Sequence, residues 1–122
     1  MKIYLLVFVM FLGGCEKDPL PPVSTPAVET SLTVSTITRT SAVCSGNATG
    51  DYGAVIIEKG ICWGLSTNPT VSGNKIIAGN STGIFSATLT GLTPAKTYYF
   101  RAYAVNQVGV SYGESVSFRT LN

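Results

Sequence analysis

The chain has 122 residues, with 8 Lys and Arg against 6 Asp and Glu, no His, and only 11% charged residues. So near-neutral a balance, with no basic stripe, excludes the electrostatic footprint of a nucleic-acid binder, and the missing His removes the commonest general base and metal ligand. Thr, Ser, Gly, Val, Ile and aromatic residues outweigh the strong helix formers, a bias toward strands and turns.

The first fifteen residues carry an address. Lys2 gives a positive start, residues 3–12 form an apolar run, and Leu12-Gly13-Gly14-Cys15 closes it. Positive, apolar and small residues in that order make a bacterial export signal. The run is shorter than the ~20 apolar residues of a membrane span, and the polar Glu16-Lys17-Asp18 follow directly. Leu-small-small-Cys resembles the lipobox of bacterial lipoproteins. The resemblance implies that residues 1–14 are a signal peptide, removed before Cys15, which takes a diacylglyceryl thioether and an acyl group on its new amine. Such a chain is expected to sit on the outer membrane by its lipid, since two or more acyl chains anchor stably where one binds marginally. An ordinary secretory peptide shares the small residues and stays open as the alternative. Glu16 and Asp18 resemble the surface-export signals of lipoproteins in some gut-type Gram-negative bacteria, which implies an outward-facing protein; a solvated linker carries such charges equally well.

Residues 15–27 contain Pro19, Pro21, Pro22 and Pro26 among small polar residues. That composition favours extended polyproline II and buries no core, so it reads as a semi-rigid tether of ~3 Å per residue. Residues 28–122 follow as one domain. At about a hundred residues, such a domain buries roughly two-thirds of its unfolded surface, enough for a core without staples.

Short strands punctuated by turn residues about every ten positions predict an all-β domain. The first strand is expected over residues 28–34 and the second over 41–48, with Ala42, Cys44 and Gly46 on one face. Gly50-Asp51-Tyr52-Gly53 marks a turn. Residues 54–63, apolar on both faces, read as a central strand in which Gly60 signals a bulge or a close backbone approach. Residues 65–80 read as a loop plus a short edge strand at 75–78, and Phe85, Ala87 and Leu89 alternate inward on a fifth strand. Tyr98, Phe100, Ala102 and Ala104 alternate inward on a sixth. Residues 109–113 suggest a hairpin turn, and Val116 with Phe118 a last strand.

The segment Leu92-Thr93-Pro94-Ala95-Lys96-Thr97-Tyr98 carries the strongest motif. Leu-x-Pro followed four residues on by Tyr resembles the tyrosine corner of fibronectin type III domains, where the Tyr hydroxyl bonds back to the backbone and pins the turn. The run from Tyr98 through Ala102 and Ala104 to Asn106 is similar to the next strand of that family, and Gly60-Ile61-Cys62-Trp63 to its bacterial branch. The resemblance implies an immunoglobulin-like sandwich of about seven strands, with Leu92, Pro94 and Tyr98 as structural residues. One departure stands out. Animal members usually carry a core Trp on the second strand, where this chain has small residues around Ala42 to Cys44, and its single Trp63 lies on the third. A partly rearranged core is expected.

With Cys15 given to lipid, Cys44 and Cys62 remain. In this fold they lie on strands of opposite sheets. A disulfide needs Cα atoms ~4.4–6.8 Å apart, and facing sheets are ~10 Å apart. Two buried free thiols, both facing the core, are therefore expected over a bridge.

No catalytic set, metal site or cofactor is read from the chain, and it is not expected to be an enzyme. Asp51, Glu58 and Glu114 are scattered, with no acidic pair. The sequons at Asn47 and Asn80 are chance matches in so Thr- and Asn-rich a chain. One constellation is a candidate ligand face: Tyr99, Arg101 and Tyr103 on the outer side of their strand, joined by Trp63 if its side chain faces the same way. Aromatic rings with an Arg stack on sugars or hold peptides. The bland reading is cross-strand pairing that shields the sheet under the 65–80 loop. The function expected is a lipid-anchored, surface-exposed module for adhesion, interaction or spacing, its partner a protein or glycan. The alternatives are a carbohydrate-binding accessory of a polysaccharide-capture system, or a piece of a longer multidomain lipoprotein. Free edge strands leave homotypic association open.

Overall fold

The computed structural model describes residues 22–122, and the export signal, Cys15 and most of the tether lie outside them. All regular structure among the described residues is strand: β1 (Ala27–Thr30), β2 (Ala42–Gly50), β3 (Glu58–Gly64), β4 (Asn74–Gly79), β5 (Gly83–Leu89), β6 (Thr97–Val105), β7 (Val110–Tyr112) and β8 (Val116–Arg119). They form two antiparallel sheets, one ordered β1-β2-β5 and the other β4-β3-β6-β7, with β8 also paired to β6. The expected sandwich is therefore present, and its last strand is broken into β7 and β8.

Alternation builds the core, because successive side chains on a strand point to opposite faces. Ala42, Cys44 and Ala48 of β2, Phe85, Ala87 and Leu89 of β5, and Tyr98, Phe100, Ala102 and Ala104 of β6 all face inward and are buried. Burying a side chain such as Phe100, Leu89 or Ile61 stabilises the fold by about 1.5–3 kcal/mol each. The small inner face of β2 is matched by bulk elsewhere. Phe100 and Phe118 lie 6.1 Å apart, Tyr98 and Phe118 5.9 Å.

Three strand bounds differ from expectation. The first strand covers only Ala27–Thr30, and the chain then leaves the ladder except for a single bridge between Ser35 and Val43. The third begins at Glu58, because β6 ends at Val105 and offers residues 54–56 no partner. Ala54 and Ile56 still turn inward while Val55 and Ile57 are exposed. Residues 24–26 also belong to the folded unit rather than to a free tether. The Ser24 N–H donates to the Tyr52 carbonyl, Asn106 Nδ2 donates to the Ser24 carbonyl at 2.6 Å, and the Ser111 hydroxyl donates to the Pro26 carbonyl.

The break in the last strand has a cause. Thr30 reaches from β1 across to the other sheet, and its hydroxyl accepts the Ala102 N–H at 3.0 Å. The Gly113 N–H donates to the Ala102 carbonyl at 2.8 Å. A Cβ on Gly113 would overlap Thr30, so only glycine lets the two sheets meet here.

Candidate functional site

β6 bears most of the residues expected to face a ligand. Tyr99, Arg101 and Tyr103 do lie on its outer side, opposite the core, but that side is not open. Residues 65–73, which link β3 to β4, fold across it. The Pro69 carbonyl accepts from Arg101 Nε at 2.6 Å and from the Cys62 thiol at 3.4 Å. The Val71 N–H donates to the Tyr112 hydroxyl at 3.1 Å, and the Arg101 guanidinium lies 3.8 Å from the centre of the Tyr112 ring, a stacked cation–π pair.

Tyr103 is fully buried, 0% exposed. Its hydroxyl donates to Glu58 Oε2 at 2.6 Å, and the same oxygen receives Lys75 Nζ at 2.7 Å. The Lys75 and Tyr103 hydrogen bonds hold the Glu58 carboxyl below the usual glutamate range. Burial first, and the Glu58 carboxylate second, push the Tyr103 phenol up. Gly60 stands in register with Tyr103, and the β3–β4 register shifts beside it. A Cβ on Gly60 would overlap the Ile76 carbonyl oxygen and sit 3.0 Å from the Tyr103 hydroxyl, so the close backbone approach expected at this glycine is what the packing requires.

Trp63 does not join this face. It pairs in register with Phe100, which turns its ring toward the core, where it meets Tyr98 edge-on at 5.9 Å. Tyr99 is half-buried, with Gly64 and Ser117 as its cross-strand partners. The expected four-residue surface is thus dispersed: Trp63 faces in, Tyr103 is sealed, Arg101 is tied to the loop, and Tyr99 is left at the margin. What the loop leaves instead is an open depression of about 290 Å³ beside Trp63, with Ser66, Thr67, Asn68, Thr70 and Asn74 among its lining residues. Sequence reasoning passed over these residues because they look like ordinary loop composition.

The tyrosine corner forms: the Tyr98 hydroxyl accepts the Thr93 N–H at 2.8 Å. Cys44 and Cys62 are both free and buried. Only Cys44 faces the core; Cys62 has the opposite orientation, under the 65–73 loop, because it shares the Arg101 side of the sheet. Burial pushes the Cys44 thiol up to about 12 and also raises that of Cys62, where Arg101 opposes the rise.

Two segments match serine-nucleophile patterns by letter, Ser72-Gly73-Asn74-Lys75 and Gly109-Val110-Ser111-Tyr112-Gly113. Neither has the required surroundings. The Ser72 hydroxyl pairs with Thr70 at 2.8 Å, and Lys75 is engaged by Glu58. Ser111 lies within antiparallel β7 and donates to the Pro26 carbonyl, far from the strand-to-helix elbow the second pattern needs. Among the described residues no group of three or more Cys, Asp or Glu gathers to hold a metal.

The Fibronectin type III domain family model matches residues 24–120. The chain belongs to the fibronectin type III family. Its match begins where Ser24 docks, four residues before the expected start at Val28. Among solved structures, the sensor domain of the anti-sigma factor RsgI4 of Pseudobacteroides cellulosolvens is similar at 26% identity and a TM-score of 0.58, over 82% of this chain and 98% of that one. A structure described as a myokine is 25% identical, with a TM-score of 0.56, over 83% of this chain and all of that one. A segment of titin shares the fold at 20% identity and a TM-score of 0.54, over 82% of this chain and 32% of that one. No curated protein matches the chain. Fibronectin type III domains are generally non-catalytic modules, and in this one the small inner face of β2 stands where animal members usually carry their core Trp.

Proposed function

We propose that the chain is a lipid-anchored protein of the bacterial outer membrane, presenting one non-enzymatic fibronectin type III domain outward as an interaction, adhesion or spacer module. The order of parts supports this reading most: a short apolar run ending at Cys15, then only a few residues before a family domain that is already docked at Ser24. The candidate face on β6 supports it from the other side, since Arg101 and Cys62 are engaged in holding a loop and Tyr103 in holding Glu58 of β3. The test compares wild type with Cys15→Ala in the producing cells. Wild type is expected in the membrane fraction and cleaved by protease added to intact cells, with the variant released. Retention of Cys15→Ala in membranes would sink the lipid anchor, and protease protection of wild type would turn the module toward the periplasm.

A second reading, capture of a carbohydrate for a polysaccharide-handling system, is favoured by one observation. The depression beside Trp63 joins an aromatic edge to a rim of hydroxyl and amide side chains, the combination that sugars use. Glycan-array binding that disappears in Asn68→Ala with Asn74→Ala supports this reading; an array with no signal for wild type removes it.

A further inference from the structure

One end of the sandwich carries apolar side chains on converging loop tips. Val23 is 40% exposed, Tyr52 58%, Val55 77%, Ile57 61% and Val108 48%. Asn106 ties their three segments together. Its Nδ2 donates to the carbonyls of Ser24 and Asp51 at 2.6 and 3.3 Å, and its Oδ1 accepts the Val108 N–H at 2.9 Å. Strand directions bring residues 22–26, 51–57, 80–82 and 106–109 to this end, while residues 65–73, 90–96 and Leu121 lie at the other. Across those four segments the one charged residue is Asp51. Single exposed apolar residues need no explanation, but five on one end do, where the nearest further charges, Glu58 and Lys59, are engaged by Lys75 and by the Thr82 and Gly83 carbonyls.

The path of the chain says what covers them. It enters the domain at this same end, and Cys15 stands seven residues before Pro22. Seven residues, even fully stretched, span no more than ~25 Å. If Cys15 is held in a bilayer, the end nearest the lipid is the apolar one. Its aromatic member is a Tyr, whose apolar ring and polar tip suit the boundary between headgroups and acyl chains.

We infer that the tether end of the domain docks on the lipid surface, with Tyr52, Val55 and Val108 entering the headgroup boundary and holding the sandwich upright. The inference rests on the lipid anchor proposed above.

The test uses the full-length protein, purified from bacterial membranes and reconstituted into phosphatidylethanolamine and phosphatidylglycerol vesicles with or without acyl-brominated lipid. The single native Trp63, at the far end of β3, supplies the background. Tyr52→Trp and Val55→Trp each place a reporter at the tips, and Leu121→Trp places one at the opposite end. Brominated lipid is expected to remove most of the emission added at the tips and to leave wild type and Leu121→Trp unchanged. Intact mass and vesicle flotation read the anchor separately. A protein without lipid that fails to float overturns the anchor, and docking with it. A lipidated, floating protein whose tip reporters are unquenched overturns docking alone. Unquenched tip emission shifted to the blue overturns it also, and assigns the tips to a second copy of the chain.

Discussion

Replacing Tyr98 by Phe removes one oxygen, the acceptor of the Thr93 N–H, and leaves the ring packed on Trp63 and Phe118. The expected cost is about 1 kcal/mol, read as a lower urea midpoint at unchanged slope. This corner was legible in the sequence because Leu92, Pro94 and Tyr98 form a local pattern with fixed spacing. Tyr103, five residues on, was not. Its burial is decided by partners on other strands: Glu58, which takes its hydroxyl, Lys75 over its ring and the bare backbone of Gly60 opposite it. Glu58 itself gives a pH prediction. Its carboxyl titrates below the usual range in the folded state, so the stability it contributes is present above the ordinary glutamate value of about 4.3 and is lost as pH falls through the folded value. Glu58→Gln is therefore expected to be less stable than wild type at pH 7. The gap should stay under ~1 kcal/mol, because the Lys75 pair is partly solvated. It should close in strong acid. Urea melts of both proteins across that range check the sign, and a gap that widens in acid would refute it.

Among the elements, β1 is only four residues long, yet it reaches the opposite sheet through Thr30. Thr30→Val keeps the shape of the side chain but leaves the buried Ala102 N–H without its acceptor, an expected loss of about 1–3 kcal/mol. Faster hydrogen exchange at Ala102, with exchange elsewhere on β6 following global stability, would identify the site of the damage. Gly60→Ala drives a methyl into the Ile76 carbonyl and is expected to cost about 1–3 kcal/mol by separating β4 from β3; the amides of β4 should then exchange first. Strand β5 was readable from alternation, since it buries every second residue, Phe85, Ala87 and Leu89, whereas β4 was readable only as a short edge strand between turn residues and leaves Ile76 and Ala78 half-buried. The facing of Trp63 and Cys62 was not readable. Both faces of β3 are apolar, and only its register with β6 decides which residue points into the core.

At the scale of the whole molecule, Cys44 and Cys62 report on cooperativity. Both thiols are buried and raised in pKa, so thiolate is scarce near neutral pH. Native protein is expected to resist iodoacetamide at both, and in moderate urea the two should react at rates that follow global unfolding. Reaction of Cys62 well ahead of Cys44 would instead show that residues 65–73 open independently. The same whole-molecule layout has a mechanical side. The chain enters beside Tyr52 and finishes beside Thr38 and Ala95, at opposite ends of the sandwich. Traction between these two ends of the domain therefore runs along the strands, while the hydrogen bonds of β1 on β2 and of β8 on β6 lie across them. Those ladders must slide in shear and fail together instead of unzipping bond by bond, so the module is stiffest along the line that joins its two ends.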